Sequence, residues 1–184
     1  GSGKTAAFML PALHRFASVP FEKSDKKTFN QKRQAARAKG EKVRYEPAHP
    51  KMLVLTPTRE LAMQIVQSSE DYSAYLKHFR TVAILGGMPY PKQMQLLAKN
   101  PEILVATPGR LIDHMHSGKI RFDQLEILVL DEADRMLDMG FIDDIETIIA
   151  ATPETRQTML FSATLDGIVG NMARKITRDP ELIH

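Results

Sequence analysis

Residues Gln124–Phe141 read QLEILVLDEADRMLDMGF, and the fold is decided by the first half of that stretch. Ile127-Leu128-Val129-Leu130 is a short, unbroken and partly β-branched apolar run. A strand that faced water on one side would alternate polar and apolar residues, so this run predicts a strand buried on both faces, as in a parallel sheet. It stops abruptly at Asp131-Glu132.

Two adjacent carboxylates at the tip of a buried strand fall where open α/β sheets bind ligands, in the crevice beyond the C-terminal strand ends. A phosphate-bound Mg2+ suits that position, because the ion prefers oxygen ligands and takes few carboxylates of its own. On this reading Asp131 is the Mg2+ partner, and Glu132 orients or deprotonates a water. A plainer alternative stays open: acids are also favoured in the first turn of a helix by the backbone dipole.

Working outward, the same pattern recurs. Met52–Leu55 runs into Thr56-Pro57-Thr58-Arg59-Glu60, followed by a helical spacing of Leu61, Ile65, Tyr72 and Leu76, with Thr58 as the expected N-cap. Thr81–Leu85 runs into Gly86-Gly87, and Ile103–Ala106 into Thr107-Pro108-Gly109-Arg110. Thr158–Phe161 runs into Ser162-Ala163-Thr164. Intervening helices are marked by Met94 and Leu97, by Ile142, Ile145 and Ile149, and by Ile168, Met172 and Ile176. The alternation predicts an α/β class, a doubly wound and mainly parallel sheet with helices on both faces. Every polar or glycine-rich cluster follows a strand's C-terminal end and so belongs to one functional rim.

The chain opens on Gly1-Ser2-Gly3-Lys4-Thr5, which matches the end of a phosphate-binding loop. Glycine allows close backbone approach, Lys4 would meet the β- and γ-phosphates, and the Thr5 hydroxyl would meet Mg2+. The leading glycine of that motif and its feeding strand would precede residue 1, and a Gly-Ser start can also be an expression scar. Thr5–Phe16 is expected to be a helix with Phe8, Leu10 and Leu13 inward, phosphates at its N-terminus and a kink at Pro11.

The 184 residues, 43% hydrophobic and 26% charged, suffice for about one domain with a sizeable core. There are no cysteines, which excludes disulfides and thiolate-held metals. No apolar run approaches the roughly 18 residues of a membrane span and no secretory leader pattern is present, so the expectation is a soluble, cytoplasmic protein without a membrane partner. The net charge of +3 is unevenly placed: Glu22–Arg44 carries nine Lys or Arg against three acids, net +6, leaving −3 elsewhere. Residues 20–50 therefore form a basic insertion, either a solvated loop or a phosphate-contacting arm whose Gln31–Lys39 part becomes helical on binding.

Together these residues resemble the first, RecA-like P-loop NTPase core domain of DEAD-box ATP-dependent RNA helicases. GSGKT is similar to motif I, PTRELA (57–62) to motif Ia, Gly86-Gly87 to the GG element, TPGR (107–110) to motif Ib, DEAD (131–134) to motif II and SAT (162–164) to motif III. The resemblance covers 1–184 except the insertion. It implies ATP and Mg2+ as cofactors, held by Gly1, Ser2, Gly3, Lys4, Thr5 and Asp131, with Lys4, Asp131 and Glu132 catalytic. It implies RNA backbone contacts from Pro57, Thr58, Arg59, Gly86, Gly87, Thr107, Pro108, Gly109 and Arg110. Arginine forks match phosphate oxygens and glycine lets a strand lie close, so this binding would be largely sequence-independent. Asp134, Ser162, Ala163 and Thr164 are implied to couple nucleotide to RNA and to a second helicase domain in cis; strand-end capping is the simpler reading of the SAT hydroxyls. The adenine-reading Q motif would lie before Gly1, and motifs IV to VI with the arginine finger after His184. Two other classes stay open, a DNA-directed superfamily 2 translocase and a non-catalytic RNA clamp. Oligomeric state is not set by any of these features.

Overall fold

The computed structural model describes residues 2–17, 46–73, 79–176 and 182–183, with positions 34, 38 and 40 between them. Its elements run α1 (Ser2–Ala17), β1 (Met52–Leu55), α2 (Arg59–Ser73), β2 (Thr81–Ile84), α3 (Tyr90–Ala98), β3 (Ile103–Ala106) and α4 (Pro108–His116). They continue with β4 (Ile127–Leu130), α5 (Ala133–Asp138), α6 (Ile142–Ala150), β5 (Gln157–Phe161), α7 (Gly167–Ile176) and β6 (Leu182–Ile183).

The sheet has six strands in the order β2-β3-β1-β4-β5-β6, and each neighbouring pair is parallel. Every residue of β1, β3 and β4 is buried, which is why these strands are continuous apolar runs. α1 and α2 cover one face, where Phe8, Met9, Ala12 and Phe16 meet Ala62, Ile65, Val54, Val129 and Phe161. The later helices cover the other face, through Leu97, Leu111, Met136, Ile145, Ile148 and Met172.

The structure shifts two helical faces. Leu10 is 54% exposed, and Met9 and Ala12 point inward instead; at ~100° per residue Leu10 lies ~200° around from Phe8 and cannot share its side. Ile168 is 61% exposed while Val169, Met172 and Ala173 are buried, because it sits ~90° off that stripe. The side chain of Leu13, and Leu76 altogether, lie outside the described residues. Pro11 is accommodated within α1 at an exposed position.

The far end of the basic insertion belongs to the fold. Ala48 forms a parallel bridge with Ile120, its N–H donating to the Lys119 carbonyl at 2.9 Å and its carbonyl accepting from Arg121 at 2.9 Å. His49 N–H donates to Asn100 Oδ1 at 2.9 Å, which ties the chain to the start of β3 before β1 begins. The Gln31–Lys39 stretch, apart from positions 34 and 38, lies outside the described residues.

Candidate functional site

Strand register sets the site. Ile84, Ala106, Leu55, Leu130 and Leu160 lie level across β2, β3, β1, β4 and β5, so the residues that follow each strand emerge at one edge. In spatial order that edge carries Gly86-Gly87, Thr107–Arg110, Thr56–Arg59, Asp131-Glu132 and Ser162–Thr164. Backbone bonds continue the ladder one step beyond the strands: Thr56 N–H donates to the Ala106 carbonyl at 3.1 Å, Asp131 N–H to Leu55 at 2.8 Å, and Thr107 N–H to Ile84 at 3.2 Å.

On the β2-β3-β1 half, the expected residues meet. Met88 N–H returns to the Leu85 carbonyl at 3.4 Å, making a four-residue turn whose third residue, Gly87, has φ 82°. That backbone suits glycine and strains any residue with a Cβ. A Cβ on Gly87 would also stand 3.1 Å from an Arg59 guanidinium nitrogen, so Arg59 reaches across from α2 to the turn. Gly86 N–H donates to Thr107 Oγ1 at 3.4 Å. Thr58 caps α2 as expected, accepting from Leu61 N–H at 3.3 Å. Pro57 and Pro108 are buried, whereas Gly109 is exposed. Pro108 opens α4 in the first helical position, where its missing N–H costs nothing.

Arg110 is turned inward rather than free at the edge: its NH1 donates to the Met88 carbonyl at 2.9 Å and to Gln93 Oε1 at 3.1 Å. Gln93 and His114, both fully buried, complete this network and were not among the expected site residues. Gln93 sits four residues before buried Leu97 on α3, so its helical spacing already marked it as an inward polar group.

On the β4-β5 half, Asp131 is 3% exposed. Glu132 is in the left-handed region at φ 51°, ψ 53° and caps α5 by backbone position, a sharp reversal from strand to helix that costs a residue with a Cβ about 1–2 kcal/mol. Its Oε2 is buried without a hydrogen bond, and the Arg135 guanidinium stands 3.6 Å away as an ion pair. Asp134 lies half-buried in the first turn of α5. Ser162 is buried and its Oγ donates to the Thr164 carbonyl at 2.5 Å. Thr164 Oγ1 accepts from Asp166 N–H at 3.2 Å, while Ala163 is exposed. Both hydroxyls thus close a local turn, the strand-end role.

Ser2, Gly3 and Lys4 form the first turn of α1, with the side chains of Ser2 and Lys4 outside the described residues, as is Gly1. Thr5 is 4% exposed. Among the described residues, no group of three or more His, Cys, Asp or Glu is gathered to hold a metal.

The family model of DEAD/DEAH box helicases matches residues 1–171. The chain belongs to that family. It is 43% identical over 184 residues to the ATP-dependent RNA helicase CshA of Listeria monocytogenes, covering all of this chain and 30% of that one. It is 40% identical over 181 residues to the ATP-dependent RNA helicase DeaD of Escherichia coli, covering 98% and 24%. The crystal structure of the yeast DEAD-box splicing factor Prp28 superposes with a TM-score of 0.78 at 32% identity, covering 98% of this chain and 38% of that one. The chain therefore spans under a third of the curated relatives named. Its sheet is the RecA-like core of a DEAD/DEAH box helicase, and the DEAD sequence that names the family is Asp131–Asp134 at the tip of β4. No helix among the described residues is long and apolar enough to cross a membrane.

Proposed function

We propose that this chain is the first core domain of an ATP-dependent RNA helicase, binding ATP at the β4-β5 half of the edge and RNA backbone at the β2-β3-β1 half. The observation that carries this reading is the single edge on which Gly86-Gly87, Thr107–Arg110, Pro57–Arg59, Asp131-Glu132 and Ser162–Thr164 stand side by side.

Lys4 and the first-turn amides of Ser2, Gly3 and Thr5 would stabilise phosphate charge at the helix N-terminus. Thr5 and Asp131, both buried, supply the oxygen donors that Mg2+ prefers, and since the ion keeps waters and draws its other ligands from phosphates it would need no larger protein cluster. Bound there, the ion would neutralise charge developing on the phosphates. Glu132, held at the strand-to-helix reversal, would orient and deprotonate the attacking water. RNA phosphates would be held by Arg59, by the amides of the Gly86-Gly87 turn and by the loop of Thr107, Pro108, Gly109 and Arg110. These groups read backbone rather than bases. Asp134, Ser162, Ala163 and Thr164, on the β4-β5 half, would couple the nucleotide to RNA and to a second helicase domain in cis.

The test is Glu132→Gln in the full-length parent. Nucleotide affinity stays within about twofold while turnover falls by about 10²-fold or more, as expected when a general base is removed. Wild-type turnover in that variant would remove Glu132 from this role. Stimulation of ATP turnover by DNA as strongly as by RNA would instead favour a DNA-directed translocase.

A further inference from the structure

Gln93 spends both ends of one carboxamide on the two loops proposed to hold RNA. Its Nε2 donates to the Leu85 carbonyl at 2.6 Å, immediately before the Gly86-Gly87 turn. Its Oε1 accepts from Arg110 NH1 at 3.1 Å and faces His114 Nε2 at 2.9 Å, both on α4. Arg110 NH1 closes the loop by donating to the Met88 carbonyl at 2.9 Å, immediately after the turn. The turn is thus bracketed by two carbonyls that answer to the same buried amide. Tyr90 seals the arrangement, its ring stacked on His114 at 4.4 Å and 11°, with the Arg110 guanidinium 5.7 Å from its centroid.

We propose that Gln93 is a positioning residue for RNA binding, the tie that fixes the Gly86-Gly87 turn against the Thr107–Arg110 loop so that the two stand as one rigid surface. The inference rests on reading this edge as the RNA site. It also gives Arg110 a different task from the one first expected: the guanidinium acts on the turn from within instead of reaching for phosphate. A surface assembled before binding loses less conformational freedom when the ligand arrives, so cutting the tie should weaken affinity without touching chemistry at the other half of the edge. An apolar replacement of similar size can make none of these bonds, and leaves the Leu85 carbonyl with only the long 3.4 Å bond from Met88 N–H and Arg110 NH1 with only the Met88 carbonyl.

The experiment compares Gln93→Met and Gln93→Glu in the full-length parent. It measures KM for RNA, KM for ATP and kcat of RNA-stimulated ATP turnover, together with direct binding of a fluorescent single-stranded RNA by anisotropy. Gln93→Met is expected to raise KM and Kd for RNA about tenfold, with kcat at saturating RNA and KM for ATP within twofold of wild type. Gln93→Glu keeps the acceptor for Arg110 but loses the donor to Leu85, and should fall between the two. A wild-type RNA affinity in Gln93→Met overturns the proposal. So does a loss in which kcat, both KM values and thermal stability decline together and Gln93→Glu is no better than Gln93→Met, the pattern of mere structural damage. If Gln93→Met does not fold, Gln93→Glu decides, and a wild-type KM for RNA there overturns it. Wild-type parent that binds no RNA would sink the reading of the edge and this proposal with it, whereas wild-type binding with an unaffected variant would sink the proposal alone.

Discussion

His114 shows what burial does to a single titratable side chain. Gln93 presents its Oε1 to Arg110 NH1, which can only donate, so the His114 Nε2 facing the same oxygen must donate too. The imidazole is then the neutral Nε2–H tautomer, with Nδ1 buried and unbonded. Adding a proton at Nδ1 would place an uncompensated charge in the interior. Burial first, and the Arg110 guanidinium second, accordingly lower its pKa from 6.5 to about 4. The unfolded chain takes up that proton below 6.5 and the folded one does not until about 4, so this contribution to stability is complete above 6.5 and is lost as pH falls toward 4. Urea denaturation of residues 1–184 should show the stability advantage of wild type over His114→Phe, which keeps the stack on Tyr90, shrinking by about 1 kcal/mol per pH unit between 6.5 and 4.5. An advantage that stays constant over that range would show the histidine to be solvated. Glu132 makes the opposite point, since its strained backbone sits at the residue proposed to handle the attacking water. Replacement by Asn, which tolerates the left-handed region, should raise stability by up to about 1 kcal/mol, or some 2–4 °C in Tm, while abolishing ATP turnover in the full-length parent. Glu132 was legible in the sequence as a carboxylate at a strand tip, but its backbone conformation was not. Nothing in a residue string announces a positive φ at a residue other than glycine or asparagine.

At the scale of elements, the strands were legible because burial on both faces leaves an unbroken apolar run. β1, β3 and β4 begin and end where Met52–Leu55, Ile103–Ala106 and Ile127–Leu130 predicted. β6 was missed because two residues carry no period at all. Helix faces were less secure: α1 is exposed along part of its length, and hydrophobicity alone placed Leu10 inside although its angle from Phe8 forbids it. Loops were the reverse case, rich in recognisable chemistry and silent about partners. Gly86-Gly87 announced a turn, yet that the turn is tied to α3 and α4 by Gln93, and covered by Arg59 from α2, required coordinates. Gly87→Ala tests how much that turn matters. The positive φ costs a Cβ about 1–2 kcal/mol, and the new methyl, 3.1 Å from the Arg59 guanidinium, must push that flexible side chain aside. The expected result is a loss of about 1–2 kcal/mol in stability by denaturation, with weakened RNA binding in the full-length parent and unchanged ATP affinity. Equal losses at both halves of the edge would mean that the turn supports the whole sheet rather than one side of it.

For the molecule as a whole, the same parallel register that gathers the site also limits what it can do alone. β2, β3, β1, β4 and β5 are locked side by side by continuous ladders, and helices bury both faces of the sheet. The groups proposed to grip RNA and those proposed to hold ATP therefore belong to one stiff body. Bending or parting a duplex requires at least two points of grip that move relative to each other, and a single packed sheet offers none: interiors at crystal-like density are not continuously deformable. Hydrolysis on this edge could change how tightly RNA is held, but not the distance between one handhold and the next. On the proposed function, motion would come from a second body closing on the edge, whose arrival ATP and RNA would favour jointly. Residues 1–184 expressed alone should consequently bind single-stranded RNA weakly and release no labelled strand from a short duplex at any ATP concentration, while the full-length parent releases it at the same RNA and ATP concentrations. A strand-displacement assay run on both proteins side by side checks this. Repeated turnover of duplex by the 184-residue chain would mean that two grips already move within this one sheet.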